Sequence, residues 1–90
     1  MDPANDPVVE RARRQITDTD LAIVEAVNRR VRLVAELHRY KREQGYQLID
    51  PGREQALRER LKRANGGPVT DDRLDELITV LLEISRTEQA

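Results

Sequence analysis

The sequence predicts an all-α protein of three helices (long, short and medium) that is completed as an intertwined helical homodimer. Three observations carry this expectation. No Gly or Pro falls between Val8 and Gln44, whereas Pro7, Gly45, Pro51 and Gly66-Gly67-Pro68 punctuate the rest of the chain. Apolar residues return at helical steps, and no strand alternation or internal repeat is visible. The chain has 90 residues, of which 37% are charged and 2% aromatic, so Leu, Ile, Val and Ala must build a core that is marginal for one copy.

Residues 1–90 read as a single domain, with residues 1–6 as a flexible tail. Asp6-Pro7 is an N-cap followed by proline at the first helical position, where its missing N–H costs nothing. The helix that follows runs to about Gln44, some 55 Å at 1.5 Å per residue, too long to be buried in a 90-residue globule. It therefore needs a partner to run along. Gly45 stops it, and a loop through Ile49 leads to Asp50-Pro51, which repeats the cap-plus-proline device. The second helix extends to about Ala64, with Ala56, Leu57, Leu61 and Ala64 on one side, and Asn65-Gly66-Gly67-Pro68 ends it. Thr70-Asp71-Asp72 caps the third helix with acidic groups at the positive end of its dipole, and its apolar stripe is Leu74, Leu77, Ile78, Leu81 and Leu82.

Composition narrows the function. Fourteen Arg and two Lys face 17 carboxylates, a formal charge of −1, which argues against a nucleic-acid or membrane-surface binder. No apolar run has the length of a signal peptide or membrane span, and the cytosol is the default location. Cysteine is absent and no Cys/His cluster has ligand spacing, so neither disulfide nor structural metal is expected to support the core. Oligomerisation is the remedy left.

The informative feature of the long helix is where its cations fall. Steps of seven from Val9 give Ile16, Ile23, Arg30 and Leu37, and the neighbouring series is Arg13, Asp20, Val27, Val34 and Lys41. Arg30 thus interrupts the apolar series, and Arg13 and Lys41 bracket the second one. A cation on a buried seam is costly unless an anion meets it, so three of them suggest a pocket for an anionic ligand. The plainer alternative is that each side chain snorkels out at the edge of the stripe. Asp20 reads as structural, and the remaining cations of this helix read as solvated surface.

Spacing adds a constraint. Arg30 and Lys41 are 11 residues apart, about 16 Å of helix, close enough for two long side chains to converge on one small molecule. Arg13 lies 17 residues before Arg30, about 25 Å away, and can reach the same ligand only from another chain. On the third helix the stripe from Ile78 and Leu81 continues to Ser85 and Gln89, so hydrogen-bonding groups succeed apolar ones on one face; the stripe fading into a frayed end is the alternative. Asp50, Arg53 and Glu54 cluster at the start of the second helix, where capping and dipole effects alone are also a sufficient reason for the acids.

Together these positions resemble the all-helical, type II chorismate mutases, over about residues 8 to 90. The match rests on Arg13, Asp20, Arg30, Lys41, Asp50, Arg53 and Glu54, aligned without a gap, and on Ser85 and Gln89 in the third helix. The resemblance implies the rearrangement of chorismate to prephenate in aromatic amino-acid biosynthesis, with no cofactor and no metal. It implies that Arg30 and the other protomer's Arg13 clamp the substrate carboxylates, with Arg53 and Ser85 in support. It gives Lys41 and Gln89 the ether oxygen, and Glu54 with the backbone near Asp50 the ring hydroxyl. It also leaves room for an activating enzyme of the shikimate pathway as a partner.

The chain departs from the family at His38-Arg39-Tyr40, where Gly-Lys-Ala often precedes the catalytic Lys, and in its short, Gly-rich linker from Asn65 to Val69. His38 reads as a surface or packing residue, because this chemistry transfers no proton. Two rivals are an isochorismate pyruvate lyase on the same fold, which tends to lack the acidic pair Asp50 and Glu54, and a non-catalytic helical dimer acting as a docking module. The latter needs Asp20, Glu25 or Glu36 to satisfy the seam cations.

Overall fold

The computed structural model describes residues 2–87, and among these it contains helices and turns but no strand. A 3-10 turn at Pro3–Asn5 is followed by α1 (Pro7–Gln44), α2 (Pro51–Ala64) and α3 (Asp71–Thr87). The three main helices begin and end within a residue or two of where Pro, Gly and the capping side chains place them. Before α1, where the sequence suggests a flexible tail, the Asp2 carboxylate accepts from the Ala4 N–H at 3.0 Å and caps the short turn.

The chain falls into two units, one up to Arg30 and one from Val31 onward. The first is essentially one helix. Asp6 opens it: its carboxylate accepts from the Val8 N–H at 2.9 Å and its carbonyl from the Glu10 N–H at 2.9 Å. The side chains of Ile16, Leu21, Ile23 and Val24 are each more than half exposed. The Glu10–Arg14 pair, 3.6 Å apart and well exposed, adds little. Cap, proline and propensity make this segment helical, but among its described residues no apolar side chain is fully buried.

The second unit holds the core. Ile78 (1% exposed), Leu82 (8%) and Ser85 (3%) are four and then three residues apart, so they form one line down α3. Leu74 and Leu81 flank that line half-buried, but Leu77 is 51% exposed, so the stripe is narrower than the sequence suggests. On α2, Leu57 and Leu61 are half-buried, while Ala56 and Ala64 lie in solvent. The one buried residue of α1 is His38, at 8% exposure, which makes it a packing residue rather than a surface one. Among the described residues two aliphatic side chains are buried, each worth roughly 1.5–3 kcal/mol, which makes a small core.

α1 ends on Gly45, whose φ of +73° a glycine adopts without strain. The Gly45 N–H donates to the Arg42 carbonyl at 3.2 Å, and the Tyr46 N–H to the Lys41 carbonyl at 2.8 Å, the pair of bonds that makes a Schellman cap. The rings of Tyr40 and Tyr46 meet edge-on with centroids 6.5 Å apart, so Tyr40 supplies the apolar contact that accompanies such a cap. Between α2 and α3, Asn65 organises the linker: its amide donates to the Val69 carbonyl at 2.7 Å, and its side-chain oxygen accepts from the Gly67 N–H at 3.0 Å. Thr70 then caps α3, its hydroxyl accepting from the Arg73 N–H at 3.3 Å.

A polar staple joins α2 to α3. Arg58 donates to the Asp75 carbonyl at 3.1 Å and to the Thr79 hydroxyl at 2.9 Å, and the Lys62 ammonium sits 2.7 Å from the Asp75 carboxylate. The hydrogen bond from Lys62 holds the Asp75 carboxyl below its ordinary value, and the same bond holds Lys62 above its own. A lowered carboxyl pKa stabilises the fold above the unfolded value near 3.9 and loses that effect as pH falls through the lower folded value. A raised lysine pKa acts below the unfolded value and is lost as pH rises through the higher folded one. Asp75→Asn is therefore expected to lower Tm by at most a few degrees, because the pair is about one-third exposed. The deficit should be flat from about pH 5 to 9 and shrink toward pH 3. Thermal melts of both proteins across that range measure it.

Candidate active site

Helix α1 carries its cations in two environments. Arg29 and Arg32 are exposed, while Arg30 between them is half-buried; Arg39 and Arg42 are exposed, while Lys41 is half-buried. Of the three cations that fall on the apolar series, Arg30 and Lys41 thus leave water in part and Arg13 does not. Arg13 is as exposed as its neighbours Arg11 and Arg14, and Asp20 is exposed as well. Arg13 and Arg30 are 17 residues apart on one continuous helix, so about 25 Å separates their backbones.

In the second unit, contacts gather the remaining positions. The Lys41 ammonium donates to the Leu48 carbonyl at 3.2 Å, tying the last turn of α1 to the loop that leads into α2. Asp50 caps α2: its carboxylate accepts from the Arg53 N–H at 3.1 Å and its carbonyl from the Glu54 N–H at 3.1 Å. With Asp50 capping the helix, the Glu54 side chain is left for another partner, and its carboxylate takes an ion pair with Arg86 of α3. Glu54 also lies in the first turn of α2, at the positive end of the helix dipole.

Ser85 precedes Arg86 and is almost completely buried, and its hydroxyl donates to the Leu81 carbonyl at 2.9 Å. Gln89 lies outside the described residues. The structure therefore brings the start of α2 to the last turn of α3, and the end of α1 to the loop before α2. Two partners escape sequence reasoning, Arg86 and the Leu48 carbonyl. An Arg directly after a seam serine is a weak signal for the first; a backbone carbonyl leaves none for the second. Among the described residues, no group of His, Cys, Asp and Glu is arranged to hold a metal ion, and no helix is long and apolar enough to cross a membrane.

Among the described residues the chain is a strand-free, three-helix protein whose long helix carries half-buried cations and whose other two helices are joined by the Glu54–Arg86 ion pair. A family model for chorismate mutase type II matches residues 12–90. The chain belongs to that family. Among solved structures it is similar to the chorismate mutase (form II) of Thermus thermophilus, at 27% identity and a TM-score of 0.81, with 86% of this chain and 88% of that chain covered. None of the curated proteins matches the chain. Membership makes it an isomerase-type enzyme and leaves the lyase and the docking module without support.

Proposed function

We propose that the protein is a cytoplasmic homodimeric chorismate mutase that rearranges chorismate to prephenate in aromatic amino-acid biosynthesis. The observation that carries the reading is the partial burial of Arg30 and Lys41 beside exposed cationic neighbours, in a chain whose family model covers residues 12–90. The substrate is a dianion that must fold its enolpyruvyl arm over the ring before one C–O bond breaks and one C–C bond forms. No proton or electron has to be exchanged with the protein, so orientation and electrostatic stabilisation suffice. Arg30 and the partner chain's copy of residue 13 clamp the carboxylates, with Arg53 and Ser85 in support. Lys41 and Gln89 donate to the ether oxygen as negative charge develops there. Glu54 accepts from the ring hydroxyl beside the Asp50 backbone. An activating enzyme of the same pathway is a further partner consistent with the family. Prephenate formation from chorismate, followed with purified protein, tests the activity; turnover of isochorismate alone, or of neither compound, would refute it.

The dimer is supported by the first unit. A lone helix whose Ile16, Leu21, Ile23 and Val24 are more than half exposed has no apolar partner of its own. A second copy supplies one, and it does so for both chains at once. Folding is then linked to association, so dilution should unfold the protein rather than release a folded monomer. Sedimentation combined with far-UV circular dichroism from micromolar to nanomolar concentration measures this. A fully helical monomer at nanomolar concentration would refute the dimer.

A further inference from the structure

We propose that Arg86 is a positioning residue that holds the Glu54 carboxylate in place for the hydroxyl of the substrate ring. The inference rests on the reading of Glu54 given above and adds a residue to it.

Glu54 and Arg86 are 32 residues apart in the chain and meet through Glu54 Oε1 and Arg86 Nη2. The contact is not required to cap α2, since Asp50 does that. Nor is it the main tie between α2 and α3, since Arg58 and Lys62 already engage Asp75 and Thr79. What it does is fix one carboxylate at the start of α2 against the turn of α3 that carries Ser85. The Glu54 side chain is 26% exposed and that of Arg86 41%, so the pair is reachable from solvent while Ser85 beside it is buried.

An ionised carboxylate has about four lone-pair sites, and one guanidinium nitrogen on Oε1 leaves room for a second donor. A glutamate free to rotate would lose side-chain entropy on meeting a ligand; one already held has lost it in folding. Arg86 also neutralises the acid that would otherwise stand near a dianionic substrate. Its own charge is spent on Glu54, so it does not act as another clamp for a carboxylate.

The test uses two probes in calorimetry with the intact dimer: a rigid bicyclic dicarboxylate ether that mimics the compact transition state, with its ring hydroxyl and without it. Arg86→Met is expected to weaken the hydroxylated probe about tenfold and to leave the other within about twofold. Arg86→Gln serves as a second neutral variant should the first not fold, with the same expectation. Glu54→Gln, measured in parallel, tests the underlying reading and should discriminate between the probes in the same sense. Discrimination by Glu54→Gln but equal weakening of both probes by the Arg86 variants would overturn the positioning role alone, leaving Arg86 a structural tie. No discrimination by any variant would overturn the reading of Glu54 and the inference with it. Discrimination by the Arg86 variants without Glu54→Gln would also overturn it, because Arg86 would then meet the hydroxyl directly.

Discussion

Arg30→Ala and Lys41→Ala are each expected to lower the rate of prephenate formation about 10² to 10⁴-fold while leaving helix content unchanged. The size follows from what the two groups are asked to do. In the proposed site Lys41 stabilises charge that appears on the ether oxygen only as the bond breaks, so its loss should fall mainly on kcat. In the same proposal Arg30 holds a carboxylate present throughout, so its loss should fall on KM as well. Both side chains are half-buried on α1 rather than core, and an alanine at either position is a good helix former. Arg30→Lys should recover little, because a point charge cannot reproduce a planar, two-pronged contact with a carboxylate. Steady-state kinetics with circular dichroism as the control decides it. Near-normal turnover in both alanine variants would remove α1 from the site.

Mixing Arg13→Ala with Arg30→Ala is expected to restore activity that neither protein has alone. The two residues lie 17 positions apart on the continuous helix α1, about 25 Å by its rise, so one chain cannot bring both to one small ligand. In a dimer that shares its sites, a mixed pair has one site with both arginines intact and one with neither. With random pairing half the dimers are mixed, so roughly a quarter of wild-type activity should return. The chains must be refolded together, since intertwined helices exchange slowly if at all. If each site were built within one chain, every site would keep one lesion and mixing would restore nothing.

Helix boundaries were legible because they are decided locally. Pro7, Gly45, Asp50-Pro51, Asn65 and Thr70 act on the backbone within a few residues of themselves, and the caps they form are those their chemistry demands. The seam cations were legible for a similar reason: periodicity places Arg30 and Lys41 on a face, and partial burial separates them from Arg29, Arg32, Arg39 and Arg42. Arg13 gains no such distinction, since a single chain leaves that stretch of α1 in water.

Periodicity was less informative about depth. It gave Leu77 and Ile78 the same stripe, yet one is 51% exposed and the other 1%, because burial depends on which neighbouring helix covers the face. His38 shows the same effect in the other direction, a polar residue taken into the unit where an exposed position was equally open to it.

The sequence by itself determined the helices, their order and the positions on them that carry charge where an apolar residue is expected, because propensity, capping and periodicity act over short stretches of chain. Only the tertiary structure decided which charges meet. Arg86 with Glu54, Arg58 and Lys62 with Asp75, and Lys41 with the Leu48 carbonyl depend on how α2 and α3 cross and how the loop returns. Pairing at a distance is set by geometry that accumulates over the whole unit, and no single turn of helix encodes it.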